Sequence, residues 1–384
     1  HPSLAALYPN MPAVERRPLS EAHGLIRRGE PVVITDVFAD VLPETSESSS
    51  AQQGGAATTN HPVPQKWTLG YLRHLLRSRR AADGAVGSAQ SSRSGSDPLF
   101  NVATDVAGAC CRYYEPRHVA IKADYPYPFR PSTHLYRDTF DGFASTLQAA
   151  YTRRSRGAPL AEGDDDDGVP TASGAALADH TVPMLHYLHD IIMNPNGEAS
   201  EATAANPAFA EDVKATLATL TKVTRSQPFF AAFGPAKIWI GQRGITMPLH
   251  YDTTDNLYVM AWGRKRAILA EPGQLDRFYR YPNGHPLVGS SQVNLSVPDV
   301  TRYSRFARAK LREAIVGPGD VLYLPGWWWH QFEQPFEDTC AINLWAREMP
   351  TSAAVPQAPE RDIRVRELSL YDHLERTVVK SFGH

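Results

Sequence analysis

The carboxy-terminal half of the chain is a series of short apolar segments separated by turn residues. Each segment has the length and the β-branched or aromatic content of a strand rather than of a helix. Strands are predicted over residues 236–241, 256–262, 265–271, 314–316, 320–324 and 339–346. Closely spaced strands of this kind are typical of a barrel or a sandwich, so the expected fold class is mainly β with flanking helices.

The amino-terminal half mixes strand and helix periodicities. The pattern predicts a strand over residues 30–36, a helix over 68–77 that Thr68 can cap, and an amphipathic helix over 138–153. In the tail, apolar residues recur every four positions, which predicts a helix over 359–382 with one apolar stripe. We expect this stripe to pack either on the protein's own barrel or on a second copy of the chain in a homodimer.

Four stretches contain too few large apolar residues to bury a core of their own. They are rich in Ser, Gly, Ala and Asp, and we expect disordered insertions at residues 44–60, 79–97, 153–179 and 194–206. The acidic run Asp164–Asp167 falls in one of them and is interpreted as a solvated loop.

Composition narrows the class of partner. The chain has 384 residues with 39 basic and 41 acidic side chains, a formal net charge of -2, so only a local basic patch could serve a nucleic acid. The three cysteines include the adjacent Cys110 and Cys111, which are poorly placed for a mutual disulfide, so a reducing compartment is expected. Because no apolar run approaches the ~18 residues of a membrane span, we expect a soluble protein of the cytoplasm or nucleus with no membrane partner.

The strongest chemical signal is a possible metal-binding triad. His250 and Asp252 are two residues apart in a segment predicted to be a strand, so their side chains share a face, and His330 follows a later strand and a Pro-Gly break. Two imidazoles and a carboxylate can occupy one face of an octahedral iron(II) and leave sites for a bidentate cosubstrate and dioxygen. A similar pair, His373 and Glu375, lies in the predicted tail helix, where residues two apart diverge by roughly 200°.

Three further residues could hold a dicarboxylate such as 2-oxoglutarate beside the metal. A buried carboxylate needs a cation or several donors, and Lys265 can reach inward while Arg264 and Arg266 alternate to the other face. Asn256 and Asn343 lie on the two metal-bearing segments, where their amides can donate to the cosubstrate or orient it. Taken singly, Lys265 is more typical of a solvated edge strand, and each Asn is more typical of a hydrogen-bonded polar residue in the core.

Together these residues resemble the JmjC branch of the iron(II)- and 2-oxoglutarate-dependent oxygenases. The motifs that carry the resemblance are His250-Tyr-Asp252, Asn256, Gly263-Arg-Lys-Arg266, Ser291–Asp299, Gly317–Pro325, Trp-Trp-His330 and Asn343-Leu-Trp345. The resemblance covers about residues 227–349 and implies a double-stranded β-helix core of the cupin-like jelly-roll type. It further implies an amino-terminal α+β region, 1–226, that packs on this core, and a helical tail, 350–384.

The resemblance also implies roles for individual residues. Lys265 resembles the lysine that pairs with the distal carboxylate of 2-oxoglutarate, and Tyr187 resembles a tyrosine that hydrogen-bonds the same group. Asn256 and Asn343 resemble the amides near the metal-binding end. Many members carry Thr or Ser three residues before the first metal histidine, where this chain has Met247, so a hydroxyl contact is either absent or supplied by Thr246 through a shifted register.

By resemblance the protein uses 2-oxoglutarate and O2, releases succinate and CO2, and hydroxylates a substrate. Within the family it resembles the small hydroxylases, whose substrates include a protein asparagine and a tRNA nucleoside, and the main expectation is a protein side chain as the substrate. A modified tRNA nucleoside is the alternative, for which Arg153-Arg154 and the basic stretch 302–312 are candidate contacts. An N-methyl-lysine demethylase and a non-catalytic binding module are the remaining possibilities.

Overall fold

The structure is a computed structural model. It describes residues 3–39, 66–76, 98–106, 133–155, 184–224, 233–281 and 285–346. The insertions predicted at 44–60 and 79–97, nearly all of 153–179, and the tail helix with its His373 and Glu375 lie outside the described residues.

Two β-sheets dominate the described residues. The strands are β1 (Arg16–Arg17), β2 (Val32–Ile34), β3 (Leu99–Val106), β4 (His134–Thr139), β5 (Met184–Met193), β6 (Phe233–Gly241), β7 (Thr246–His250), β8 (Asn256–Trp262), β9 (Lys265–Ala270), β10 (Leu311–Val316), β11 (Val321–Leu324), β12 (Trp329–Glu333) and β13 (Thr339–Ala346). The larger sheet has the order β1-β2-β11-β8-β13-β6-β5-β3-β4, and the smaller sheet has the order β10-β9-β12-β7. The predicted mainly β, jelly-roll fold class is therefore confirmed.

Helices flank the two sheets. They are α1 (Leu4–Leu7), α2 (Leu19–Arg28), α3 (Leu69–Leu75), α4 (Phe140–Ser155), α5 (Glu201–Ala204) and α6 (Pro207–Thr224), with 3-10 turns at Pro272–Arg277 and Ser304–Arg308. Among the described residues, none of the helices has both the length and the apolar character needed to cross a membrane.

Strand alternation divides the core into layers. On β8, Leu257 and Val259 pack against the helix layer, whereas Tyr258 and Met260 face the space between the two sheets. The outer face of the smaller sheet is buried in turn under the connection from β9 to β10, whose Phe306 belongs to the same cluster as Ile268 and Trp329. The layer between the sheets holds the polar side chains of the candidate site.

Local signals placed several elements correctly. Strands β8 and β13 have the predicted bounds, and α3 begins after Thr68, whose hydroxyl accepts a hydrogen bond of 3.1 Å from the Tyr71 backbone N–H. Side-chain capping of this kind satisfies a backbone donor that the helix itself cannot use.

Two expectations need correction. Residues 194–206 are not a structureless insertion, because Met193 bridges to Ala199 and Ser200 caps helix α5, on which Thr203 is fully buried. The amino-terminal region also does more than pack on the core, since β1 to β5 extend the same sheet that contains β8 and β13.

Candidate metal and cosubstrate site

Two neighbouring strands of the smaller sheet bring the two histidines together. His250 ends β7 and pairs directly with His330 on β12, so their rings lie on the same face with centroids 4.2 Å apart. The Asp252 Oδ2 atom lies 3.9 Å from His330 Nε2. One ligand atom from each of the three residues lies within 4.8 Å of the others, and no other group of three or more such side chains is found in the described part of the chain.

Asp252 reaches the triad from a loop rather than from a strand. Strand β7 ends at His250, so the alternation that predicted a shared face does not extend to Asp252. Instead, the Trp327 backbone N–H donates to the Asp252 carbonyl at 2.7 Å, and Trp345 Nε1 donates to the Asp252 Oδ2 atom at 3.0 Å. The convergence of the three residues was predicted, but its structural cause was not.

A second carboxylate holds the two site loops against each other. Asp255 accepts hydrogen bonds from the Gly326 backbone N–H at 2.8 Å and from the Tyr323 hydroxyl at 2.9 Å. A Cβ atom on Gly326 would lie 2.8 Å from the Thr253 carbonyl oxygen, so the loops can approach this closely only with glycine there. The loop that carries Asp252 is thereby fixed to the loop that precedes His330.

The hydrogen bonds of both histidines leave the correct nitrogen available for a metal. His250 Nδ1 donates to the Pro248 carbonyl at 2.8 Å, and His330 Nδ1 donates to the Trp328 carbonyl at 3.0 Å. A carbonyl can only accept, so each Nε2 carries the lone pair. Burial and the neighbouring His250 lower the pKa of His330 to about 4, so its imidazole is neutral near pH 7.

The third donor is an ionised carboxylate. Burial by itself would raise the pKa of Asp252, but His330, His250 and the Trp345 hydrogen bond outweigh burial and hold that pKa below its ordinary value. Two imidazoles and one carboxylate are the donor set of the two-histidine facial triad of non-haem iron(II) sites. His250, Asp252 and His330 would hold such an ion, since one ligand atom from each lies within 4.8 Å of the others.

Lys265 lies inside the barrel, as strand alternation predicted. Its side chain is fully buried, and its Nζ donates to the Tyr258 hydroxyl at 2.7 Å and to the Tyr187 hydroxyl at 3.1 Å. Burial lowers the pKa of Lys265 to about 7. An incoming carboxylate would restore the charged ammonium and could accept from both phenols, so the three residues suit the distal end of a dicarboxylate.

The two predicted amides also meet. Asn343 Nδ2 lies 3.4 Å from Asn256 Oδ1, and Asn343 Oδ1 accepts a hydrogen bond of 2.6 Å from Trp239 Nε1. The indole therefore fixes which way the Asn343 amide points and turns its NH2 group toward Asn256. Both side chains are buried, on the paired strands β8 and β13.

The structure does not bring Thr246 to Lys265. Between Met247 and His250, β7 has one residue more than the facing stretch of β12, so a bulge shifts the strand's alternation. Met247 packs against the clusters that contain Tyr187 and Tyr258, whereas Thr246 lies on the outer face with Arg266 and Glu333. The inward position three residues before His250 is thus occupied by a thioether.

The three consecutive tryptophans have separate roles. Trp327 stacks on Tyr251 beside the metal ligands at a centroid distance of 5.3 Å. Trp328 belongs to the core between the sheets and donates through Nε1 to the Gly29 carbonyl at 3.0 Å, while Trp329 is buried on the outer face. Trp329 also contacts Tyr251, edge to face at 4.9 Å between centroids, so two of the three indoles lie against this neighbour of the metal ligands.

Three site residues were not nominated from the sequence as ligand or cosubstrate contacts: Tyr258, Trp239 and Trp345. Each lies at an alternate position of its strand and points between the sheets. The sequence could have predicted the direction of the Trp239 side chain, because alternation along β6 places it on the same face as Lys237 and Gly241.

Family comparison agrees with the fold and the triad. The Cupin-like domain profile matches residues 18–352. The chain therefore belongs to the family of cupin-like JmjC-type domains, whose members are typically iron- and 2-oxoglutarate-dependent oxygenases.

Individual relatives match over shorter stretches. The chain is 35% identical over 109 residues to Jumonji C domain-containing protein 5 of Drosophila melanogaster, which is 28% of this chain and 27% of that protein. It is 30% identical over 107 residues to lysine-specific demethylase 8 of Xenopus tropicalis, covering 28% and 24%. It is 26% identical over 166 residues to tRNA wybutosine-synthesizing protein 5 of Homo sapiens, covering 43% and 48%. The matched stretches thus span less than half the length of each of these relatives.

Proposed function

We propose that the protein is an iron(II)- and 2-oxoglutarate-dependent oxygenase that hydroxylates a protein side chain. The observation that carries the proposal is that a metal triad and a buried Lys265, held between two phenols, lie together in the layer between the two sheets. When bound, iron(II) would supply oxygen activation coupled to decarboxylation of 2-oxoglutarate to succinate and CO2. The chain's own residues orient the cosubstrate, hold the triad in its metal-binding tautomers and exclude water.

The enzyme hypothesis is tested by succinate release. We expect release from 2-oxoglutarate that requires iron(II) and is lost in His250→Ala and Asp252→Ala, because each change removes a ligand. His134→Ala, an exposed histidine on β4, is the matched control and should retain turnover. Turnover that persists in either triad variant would refute the assignment.

The cosubstrate assignment has its own test. Lys265→Ala should weaken 2-oxoglutarate binding far more than iron binding, because the lysine contacts no metal ligand in the described structure. Calorimetric titration of each ligand into the wild type and the variant measures both effects. Equal losses of the two affinities would contradict the role proposed for Lys265.

A tRNA nucleoside is a second candidate substrate, and one observation favours it. Arg302, Arg305, Arg308 and Lys310 are exposed in the β9–β10 connection, where four cations within nine residues could contact phosphates. Mass spectrometry of proteins and tRNA from cells with and without the active enzyme decides between the two. An added oxygen atom on a peptide but on no nucleoside supports the protein substrate, and the reverse result overturns it.

A homodimer formed through the tail helix is a further proposal. Residues 359–382 lie outside the described part of the chain. Sedimentation of the chain with and without residues 350–384 would test it, since loss of a dimer on truncation is the expected result.

A further inference from the structure

Different kinds of structure hold the three metal ligands. Direct pairing of β7 with β12 sets the position of His250 relative to His330. Asp252 lies in the loop between β7 and β8, so its distance from His330 is set by the contacts of that loop rather than by strand pairing. The 3.9 Å between Asp252 Oδ2 and His330 Nε2 therefore depends on what holds the loop in place.

The turn at residues 325–327, which joins β11 to β12, contacts this loop and has an unfavourable backbone. Trp327 has a φ of 67°, in the left-handed region that a residue with a Cβ atom rarely adopts. Its backbone N–H donates to the Asp252 carbonyl at 2.7 Å, which connects the turn directly to the Asp252 backbone. A strained residue persists only where surrounding contacts hold it, so the contacts of this turn matter for the triad.

Asp255 provides a contact that holds the turn. Asp255 comes directly before β8 and is only 7% exposed, and its carboxylate accepts from the backbone N–H of Gly326 at 2.8 Å. The Tyr323 hydroxyl on β11 donates to the other carboxylate oxygen at 2.9 Å. The Asp255 carbonyl accepts from the Ala346 backbone N–H at 2.7 Å. The carboxylate is thus fixed by both neighbouring strands before it reaches the turn.

Loss of this carboxylate would change the turn. Gly326 is buried, and a buried backbone N–H that loses its acceptor is unfavourable, so the turn would rearrange to satisfy it. Trp327 would then return toward an ordinary φ, and its N–H would move away from the Asp252 carbonyl. Because His330 follows Trp327 by three residues, a rearranged turn would displace both Asp252 and His330.

Resting on the proposed iron(II) site, we infer that Asp255 is a positioning residue that sets the separation of Asp252 from His330 by holding the 325–327 turn in its strained conformation. Asp255 acts through the backbone of the turn, since the three ligand atoms come from the triad itself. The affinity of the site for a metal ion, and the arrangement of ligands around that ion, therefore depend on a carboxylate outside the triad.

The test measures how Co(II) binds to the full chain, without turnover. Titration gives the affinity, and the visible absorption of bound Co(II) reports the number and arrangement of its ligands. Asp255→Ala should bind Co(II) at least about tenfold more weakly than the wild type, the lower end of the effect of losing a group behind metal ligands, and should alter the spectrum. Asp255→Asn keeps an oxygen that can accept from Gly326, so it should retain the wild-type spectrum and most of the affinity.

A matched control separates positioning from stability. Asp212 on α6 is 8% exposed, and its carboxylate likewise accepts from a tyrosine hydroxyl, that of Tyr71, at 2.8 Å. Asp212→Ala should lower the unfolding free energy but leave the Co(II) affinity and spectrum unchanged. If Asp212→Ala alters both in the same way as Asp255→Ala, the cause is general destabilisation and the role of Asp255 is overturned.

The remaining outcomes are distinct from one another. If the wild type does not bind Co(II), or if His250→Ala binds it equally well, the proposed function fails and the inference fails with it. If Co(II) binds through the triad but Asp255→Ala keeps the wild-type affinity and spectrum, only the role of Asp255 is overturned. Should Asp255→Ala not fold, Tyr323→Phe removes the 2.9 Å hydrogen bond alone and should weaken Co(II) binding by a smaller factor. Unchanged affinity and spectrum in Tyr323→Phe would then count against Asp255.

Discussion

Lys265 combines a positive charge with complete burial between two phenol rings. In the ligand-free protein its pKa is lowered from 10.5 to about 7 by burial. In the unfolded chain the lysine keeps its ordinary pKa, so between pH 7 and 10.5 the unfolded state binds one proton more than the folded state. Stability that depends on Lys265 must therefore fall as the pH falls through this window.

This linkage predicts a pH-dependent difference for Lys265→Met. The wild type should lose up to about 1.4 kcal/mol of unfolding free energy per pH unit on going down from pH 10 to pH 7, relative to the variant. Urea denaturation of both proteins without ligand, at several pH values in this range, measures the difference. Parallel stability curves would show that the lysine is not held in its neutral form.

The indole of Trp345 supports the carboxylate that would bind the metal. Trp345→Phe keeps the ring packing but removes the 3.0 Å hydrogen bond to Asp252. We expect iron(II) affinity to fall by about 10- to 100-fold, the usual effect of losing a hydrogen bond behind a metal ligand. Trp262→Phe, at a site that packs against the helix-facing core, is the control and should bind iron normally. Equal affinities in the two variants would refute the supporting role of Trp345.

At the residue scale, the sequence carried most of the site. The sequence nominated His250, Asp252 and His330 from residue type together with strand spacing, and Lys265 from strand alternation and the family resemblance. It could not supply Trp345 or Trp239, since an indole that donates one hydrogen bond has the same sequence signature as one that only packs.

At the scale of the element, the bulge in β7 decides which side chain enters the cosubstrate cavity. Met247→Thr should place a hydroxyl on the inner face near Tyr187, and we expect 2-oxoglutarate to bind about tenfold more tightly, since a hydrogen bond to a charged group contributes about 1.5–3 kcal/mol. Calorimetry measures the change. Thr246→Val, one residue away on the outer face, should leave the affinity unaltered.

The opposite result would show that β7 does not have this bulge. If Thr246→Val weakens cosubstrate binding and Met247→Thr does not strengthen it, then β7 has the regular alternation that the sequence suggested. A single extra residue in a strand leaves no distinct pattern of apolar positions. The sequence therefore could not decide whether Thr246 or Met247 faces inward.

Strand β5 is a second case in which the sequence could not predict a contact of the site. Tyr187 was linked to Lys265 only by resemblance, because the two positions are far apart in the chain and no local pattern pairs β5 with β6. The structure pairs Tyr187 with Gly241, where a Cβ atom would lie 2.5 Å from the tyrosine ring. Glycine at this place in β6 therefore makes room for the phenol, a tertiary requirement that periodicity does not express.

At the scale of the whole molecule, the triad joins the two sheets. His250 and His330 belong to the smaller sheet, while Asp252 is hydrogen-bonded to Trp345 on β13 of the larger sheet. A bound ion should then stabilise the assembled barrel as a unit. At about 100 times its dissociation constant, Mn(II) should add about 2.7 kcal/mol to the unfolding free energy.

Thermal unfolding with and without Mn(II) measures this stabilisation. We expect it to vanish in Asp252→Ala, which removes the ligand that links the sheets, and to persist in Asp276→Ala, an exposed carboxylate. A shift of the same size in both variants would mean that the ion binds elsewhere.

The position of β5 and β2 in the larger sheet has a practical consequence for any shortened version of this protein. A fragment that starts near residue 227 would keep every metal ligand, yet it would leave β6 without β5 and β11 without β2. A long row of unpaired backbone groups on β6 and a short row on β11 would then be exposed, and exposed edges of this kind pair with strands of neighbouring molecules. Expression of the isolated core should yield aggregates, whereas the same residues within the full chain stay paired.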